Sequence, residues 1–119
     1  MRLGPWFLVS ERLDVMSEFY SDVVGLSPTR REAGHHVWYS LGGLELAIHV
    51  PEDKPGPDFT PSPRGILMWF ESARPLSEVA AQLAGRGVRF WGPFEGGQRD
   101  LLLTLDPDGN MVGLFVVKV

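Results

Sequence analysis

The sequence predicts an α+β fold in which two βαβββ modules form one curled mixed sheet around a central cavity. Two observations predict it: the same order of β-rich and helical stretches runs through the chain twice, and a proline-rich stretch separates the two copies. With 119 residues the chain has the usual size of one domain, which buries roughly two thirds of its unfolded surface. We therefore expect residues 1–119 to fold as a single domain of two modules.

The first module is predicted over residues 1–50. Its helix is indicated by apolar residues at the spacing of one helical stripe, and Gly25 is placed to end it. The pair Gly42-Gly43 between two β-rich runs is typical of a β-hairpin. The predicted elements are a strand at Phe7–Ser10, a helix at Leu13–Val24, a short strand at Thr29–Glu32, a strand in "HHVWYSL" and a strand in "LELAIHV".

A linker is predicted over residues 51–64, because five of the chain's ten prolines lie there and proline cannot donate to a sheet. The pattern then repeats over residues 65–119. Pro75 suits the first turn of a helix, which Gly85 and Gly87 end. The predicted strands of this second module lie in "GILMWFES" before the helix and in "VRFWG", "RDLLLTL" and "MVGLFVV" after it, with the turn "DPDGN" between the last two.

Composition excludes several classes of function. The net charge of −4 and the scarcity of clustered Lys and Arg argue against a nucleic-acid surface. The first residues contain only a short apolar run before Glu11 and Arg12, which is too short for a signal peptide or a membrane span. Because the chain has no cysteine, no disulfide contributes, and we expect a cytoplasmic protein without a membrane or nucleic-acid partner.

Three short motifs carry a resemblance to a known family. They are "FYSDVVGL" at the end of the first helix, "GLELAI" in the fourth strand and "DPDGN" before the last strand. In this order and spacing, within paired βαβββ units, they resemble the vicinal oxygen chelate superfamily, which includes glyoxalase I, extradiol dioxygenases, fosfomycin resistance enzymes and bleomycin resistance proteins. The resemblance covers nearly the whole chain and implies the fold more firmly than the chemistry, because one fold hosts many functions.

The resemblance also implies where a divalent cation would be held. The family's four ligand positions fall on Pro5, Glu45, Gly65 and Gly113 in this sequence. A protein-bound cation needs about three side-chain donors, and proline and glycine supply none. We therefore predict neither a metal site nor a cofactor. Asp106 and Asp108 are read as turn residues and not as the start of a calcium loop.

A relocated metal site is the alternative. Glu45 and His49 lie on the same face of one predicted strand, and His36 on the neighbouring strand is in reach of that face. The competing interpretation places His35 and His36 on either side of the sheet, one exposed and one packed. Without a cation, Glu45 would sit in the cavity with a pKa raised by desolvation, unless His49, Arg99 or a cationic ligand paired with it.

Strand alternation predicts the lining of the cavity. If the ligand positions face inward, so do the residues two steps away along each strand. Aromatic side chains, a methionine and a few ionisable groups suit a flat, partly apolar molecule, whereas the alternative is that these side chains fill the space completely. The predicted ligand-binding residues are Phe7, Val9, Glu45, Ala47, His49, Leu67, Trp69, Arg99, Met111 and Phe115.

These observations favour a metal-independent protein that binds an aromatic or cationic small molecule, such as an antibiotic, by sequestration. Resemblance to bleomycin resistance proteins implies a homodimer with ligand grooves at the subunit boundary. The alternative is a metal-dependent lyase or dioxygenase with the relocated site. A third possibility is a domain that only assembles with other chains, which predicts a filled cavity.

Overall fold

The structure, a computed structural model, describes residues 5–50 and 67–118. These residues divide into two compact units, residues 5–22 with 26–50 and residues 23–25 with 67–118. The predicted linker at 51–64 and the family's ligand position at Gly65 lie outside the described residues. The curling of both sheets around one cavity stays a prediction.

The first unit contains a four-stranded mixed sheet. Its strand order is β1-β4-β3-β2, with β1 parallel to β4 and the other neighbours antiparallel. The elements are β1 (Trp6–Val9), α1 (Leu13–Glu18), a π-helical continuation (Phe19–Val23), β2 (Pro28–Glu32), β3 (His36–Leu41) and β4 (Leu44–His49).

The second unit repeats this topology. Its strand order is β5-β8-β7-β6, and β5 is again parallel to β8 while the other neighbours are antiparallel. The elements are β5 (Leu67–Glu71), α2 (Leu76–Gly85), β6 (Phe90–Glu95), β7 (Arg99–Leu105) and β8 (Met111–Val117). The predicted α+β class and the two βαβββ modules are confirmed, and both sheets are open.

Two elements differ from the sequence prediction. The first helix is α-helical only over Leu13–Glu18 and continues as a π-helix, which hydrophobic periodicity does not distinguish from an α-helix. Strand β6 begins at Phe90 and continues through Pro93 to Glu95. Proline is tolerated there because β6 is an edge strand whose register shifts between Trp91 and Phe94.

The β3–β4 hairpin matches the prediction. Leu41 pairs directly with Leu44, which leaves a two-residue turn, and Gly42 and Gly43 have φ of 57° and 96°. Positive φ at both central residues is what a type I′ turn requires, and this turn matches the twist of the two strands. The Gly-Gly pair therefore fixes the register that aligns β3 with β4.

The core of the first unit lies between its helical segment and one face of its sheet. Alternate residues of β3 and β4 face α1, which contacts both strands. The opposite face of the sheet is therefore not covered by α1. The fully buried side chains of this core are Met16, Tyr20, Val37, Tyr39, Leu46 and Ile48.

Tyr39 is the polar member of this core. Its hydroxyl donates to the Ser17 carbonyl oxygen (3.2 Å) and lies 3.0 Å from the Ser21 hydroxyl. Burial raises the pKa of Tyr39 above its usual value, and the hydrogen bond with Ser21 opposes this shift. The folded state therefore holds the phenolic proton more tightly than the unfolded chain does.

Replacing Tyr39 by Phe tests this arrangement. Near neutral pH we expect a loss of about 1–2 kcal/mol in the free energy of unfolding, because the Ser17 carbonyl loses its donor. The raised pKa contributes stability that is present below about pH 10 and is lost as the pH rises through the folded pKa. Urea unfolding from about pH 8 to 11 should show a steeper alkaline loss in the native chain than in Tyr39→Phe, and parallel curves would contradict this account.

The second unit is built in the same way. Helix α2 contacts β6, β7 and β8, and its amphipathic stripe covers one face of the sheet. The buried residues of this core are Met68, Leu76, Val79, Leu83, Leu102, Val112 and Leu114. The face opposite α2 carries Trp69, Gly113 and their neighbours, and it is this face that holds the candidate site.

Neither described helix has the length and hydrophobicity that crossing a bilayer requires.

Candidate functional site

The face of the first sheet opposite α1 gathers most of the residues predicted for this module. Phe7 pairs with Ala47 and Val9 with His49 across the parallel β1–β4 pair. Residues paired across neighbouring strands point to the same side, so these four side chains share one face. This part of the predicted lining is reproduced as an arrangement, and its role in ligand binding stays a prediction.

An aromatic and imidazole cluster occupies this face. The Phe7 ring meets His49 at 5.0 Å and Trp38 at 5.7 Å between centroids, both edge to face. Trp38 meets His49 at 5.6 Å, and His36 stacks on His49 at 5.2 Å. These contacts follow from register, because His36 pairs with His49 and Trp38 with Ala47.

Charged groups border the cluster on β2. The Arg30 guanidinium carbon lies 4.4 Å from the centre of the Trp38 ring. The Glu32 carboxylate lies 3.1 Å from Nε2 of His36. His35 lies in the turn before β3 and is exposed, whereas His36 on β3 is half-buried. One histidine is thus exposed and one packed, but they do not lie on either side of the sheet. The side chains of this cluster therefore contact one another and the charged groups of β2.

The structure does not assemble the relocated metal site. Glu45 pairs with Ser40, whereas His49 pairs with His36 at the other end of the strand. Residues four apart on a strand share a face, as alternation predicts, but they are separated by about 13 Å, so Glu45 does not join His49 and His36 in one group. Among residues 5–50 and 67–118, no three His, Asp or Glu side chains form a group able to hold a metal ion.

Glu45 is also exposed, so the burial in a cavity that the sequence predicted for it is missing. An exposed carboxylate is hydrated by water and requires neither His49 nor Arg99 as a partner. Because Arg99 lies in the other unit, its pairing with Glu45 stays a prediction.

The family's metal ligands do not fit the residues present. Pro5 has no donor, and Gly113 lies among apolar side chains. A Cβ built on Gly113 would lie 3.5 Å from Trp69 Cδ1, 3.5 Å from Leu101 Cδ1 and 3.6 Å from Leu103 Cδ2. These are van der Waals contacts with carbon atoms, so the surroundings of this position are those of an apolar surface and not of a cation.

In the second unit, the face opposite α2 is largely apolar. Trp69 pairs with Gly113, which pairs in turn with Leu103. Phe115 pairs with Leu101, and its ring lies 6.0 Å from that of Trp69. Met111 pairs with Leu67 and so belongs to the same face. Trp69, Arg99, Met111 and Phe115 are thus brought to one side of one sheet.

An open groove of about 460 Å³ lies on this face, within the size range of small-molecule sites. Its two large aromatics are half exposed, Trp69 at 47% and Phe94 at 49%. We call it the β5–β7 groove. It is lined by Trp69, Phe94, Glu95, Gly96, Gly97, Gln98, Arg99 and Leu101.

The sequence predicts Trp69 and Arg99 as ligand-binding residues, but it does not predict the other residues that line this groove. Leu101 was recoverable, because it follows Arg99 by two residues in the strand "RDLLLTL". Alternation along β6 does not predict that Phe94 faces the groove, because the register shift in this strand changes which residues face it. In the sequence of the β6–β7 hairpin, only the Gly96-Gly97 pair indicates a turn.

The "DPDGN" turn is structural, as predicted. Asp106 is buried, and its Oδ1 accepts hydrogen bonds from the backbone N–H groups of Asp108 and Asn110, both at 2.9 Å. Its Oδ2 accepts a third from Asn110 Nδ2 at 2.7 Å. This carboxylate therefore holds the turn that aligns β7 with β8.

A family model described as the glyoxalase/bleomycin resistance protein/dioxygenase superfamily matches residues 2–114. A search of curated proteins found no match. Three solved structures illustrate the likeness in fold. A virulence protein from Salmonella typhimurium is 20% identical, with a TM-score of 0.74 over 99% of this chain and 98% of that one.

A lactoylglutathione lyase from Agrobacterium tumefaciens is 18% identical, with a TM-score of 0.69 over 97% of this chain and 92% of that one. A glyoxalase/bleomycin resistance protein/dioxygenase from Nocardioides is 21% identical, with a TM-score of 0.67 over 98% and 83%. At these identities the likeness concerns the fold, and it carries no substrate over to this chain.

Proposed function

The chain belongs to the glyoxalase/bleomycin resistance protein/dioxygenase superfamily, and on this premise we propose that it binds a small aromatic molecule without a metal ion. In this proposal it acts by sequestration rather than turnover, as the resemblance to bleomycin resistance proteins implies. The observation that carries it is the β5–β7 groove, an apolar aromatic surface beside Gly113, where the family's last metal ligand would stand.

Metal independence is supported by the donor positions. Pro5 and Gly113 cannot donate, Glu45 is exposed, and one carboxylate does not hold a divalent cation. The rival enzyme with a relocated site loses its support, since Glu45 lies far along the strand from His36 and His49.

Of the two ligand classes that the sequence favours, the aromatic class has the stronger support. Trp69 and Phe94 are half exposed in the groove, which leaves ring surface for a flat molecule to cover. A cationic ligand would need a carboxylate held in an apolar site, and neither Glu45 nor the groove residue Glu95 supplies one, because both are exposed. An aromatic antibiotic is one compound of the proposed class.

We extend the proposal to a cytoplasmic homodimer. Trp91 on the edge strand β6 is 37% exposed, with the Arg89 guanidinium 5.0 Å from its ring centre. Exposed aromatic and arginine side chains are enriched at protein interfaces. A cysteine-free chain suits a reducing compartment.

The proposed function is tested by titrating the protein with N-phenyl-1-naphthylamine, a neutral aromatic probe that becomes fluorescent on leaving water. We expect saturable binding that Trp69→Ala weakens about 10-fold or more, because the ring supplies most of the apolar contact. Trp6→Ala is the matched control: Trp6 is 41% exposed and lies on the opposite face of β1 from Phe7. Absence of binding, or equal loss in both variants, contradicts the proposal.

Native mass spectrometry after incubation with Zn²⁺, Ni²⁺, Mn²⁺ and Fe²⁺ tests metal independence. We expect no ion retained after buffer exchange. One retained ion per chain that Glu45→Gln abolishes would overturn this part of the proposal and favour the metal-dependent enzyme.

A further inference from the structure

Arg99 stands at one end of the β5–β7 groove. It is the first residue of β7 and shares a face with Leu101, two residues further along the strand. Its guanidinium carbon lies 5.3 Å from the centre of the Phe115 ring, a cation–π distance. The planar guanidinium therefore packs against the Phe115 ring. Its outer edge remains accessible, because Arg99 is exposed.

The acidic groups near Arg99 do not pair with it. Asp100 follows it on the opposite face of β7, where Lys118 Nζ lies 3.2 Å from Asp100 Oδ1. Glu95 pairs with Asp100 across the hairpin, is exposed to solvent, and contributes to the lining of the groove. Among residues 5–50 and 67–118, no carboxylate lies within ion-pair distance of the Arg99 guanidinium.

A further carboxylate lies on the groove face. Glu71 pairs with Phe115, which pairs with Leu101, so Glu71 lies on β5 and Arg99 on β7 with β8 between them. It makes no ion pair with Arg99 across the Phe115 ring. The charge of Arg99 is therefore available to a ligand that lies in the groove.

The hairpin that carries Arg99 is tightly constrained. A Cβ on Gly96 would collide with the Arg99 carbonyl oxygen, so only glycine allows the hairpin to close this tightly. The Gln98 carbonyl oxygen accepts a hydrogen bond from the Lys118 backbone N–H at 2.9 Å. Both features fix where β7 begins and hence where the Arg99 side chain leaves the backbone.

We propose that the β5–β7 groove binds an aromatic molecule that carries an anionic group, with the ring system against Trp69 and Leu101 and the anion at Arg99. The anion is a carboxylate, sulfonate or phosphate, since guanidinium forms paired hydrogen bonds with each of these. This inference rests on the proposed function and names the ligand class of the same site. It assigns Arg99 the role of selecting charge, while the aromatic surface supplies affinity.

Two probes that differ in one group test it. N-phenyl-1-naphthylamine is neutral, and 1-anilinonaphthalene-8-sulfonate has the same ring system with an added sulfonate. We expect the sulfonate probe to bind about 10-fold more tightly at low salt, because a charge-assisted hydrogen bond is added to the same ring contact. The preference should shrink as NaCl is raised, because Arg99 is exposed and its charge is screened.

The variants assign the preference to Arg99. Arg99→Gln should lower affinity for the sulfonate probe about 10-fold and leave the neutral probe within about 2-fold, whereas Arg99→Lys should retain part of the preference. Arg89→Gln is the matched control, because Arg89 is also stacked on an aromatic ring of this unit but does not line the groove. Far-ultraviolet circular dichroism verifies that each variant is folded.

The outcomes separate this inference from the proposed function. If the neutral probe binds and depends on Trp69 but the sulfonate gives no advantage, the charge selection is wrong and the aromatic site stands. The same conclusion follows if Arg89→Gln reduces the preference as much as Arg99→Gln does. If neither probe binds in a Trp69-dependent way, the proposed function itself fails.

Discussion

Replacing Leu102 by Ala is expected to reduce the free energy of unfolding by about 2–5 kcal/mol. Leu102 is fully buried on the α2 side of β7 and pairs with Leu114, which is 1% exposed. Truncation removes apolar contacts on the side where α2 covers the sheet, and a rigid sheet does not close the space that remains. Urea unfolding followed by circular dichroism measures the loss.

The control for this prediction is Ser77→Ala on the exposed side of α2. Ser77 makes no capping hydrogen bond, and alanine is the better helix former, so we expect a change within about 0.5 kcal/mol. A loss below about 1 kcal/mol for Leu102→Ala would mean that α2 and the sheet do not form the core described here.

Replacing Gly113 by Glu is expected to abolish binding of both naphthyl probes, with affinity at least about 100-fold lower, equivalent to about 2.7 kcal/mol. The new side chain would leave the backbone between Trp69, Leu101 and Leu103, and its chain would occupy the surface on which the probe ring lies. A carboxylate on this apolar surface also loses hydration, and it repels an anionic ligand.

Gly113→Ala separates the effect of charge and bulk from that of losing glycine. Its Cβ would make ordinary contacts at 3.5–3.6 Å, and Gly113 is not among the glycines of positive φ, so no backbone strain arises. We expect stability within about 1 kcal/mol of the native chain and probe affinity within about 3-fold. Unchanged binding in Gly113→Glu would show that the ligand lies elsewhere.

The two predictions concern opposite faces of one strand pair. Leu102 faces α2 and its loss weakens the fold, whereas Gly113 faces the groove and its replacement blocks a site. Strand alternation keeps these roles separate, because neighbouring residues point to opposite sides of a sheet. We therefore expect Leu102→Ala to retain probe binding under conditions in which it remains folded.

The sequence by itself determined the order of elements, and from it we predict that the family's ligand positions do not hold a cation. Periods of 2 and 3.6 residues distinguish strands from helices locally, and the Gly42-Gly43 turn fixes one register without any long-range information. Pro5 and Gly113 lack donors wherever the fold places them. These conclusions needed only side-chain chemistry and local backbone preferences.

The tertiary structure alone decided which of the predicted residues meet. Glu45 and His49 share a face, yet register places one opposite Ser40 and the other opposite His36, so they form no common site. Phe94 enters the groove because a register shift in β6 changes which residues face it, and Arg99 makes no ion pair with Asp100 because Asp100 points to the opposite face, towards Lys118. Distances between side chains on different strands depend on register and hairpin geometry, which periodicity along one strand does not encode.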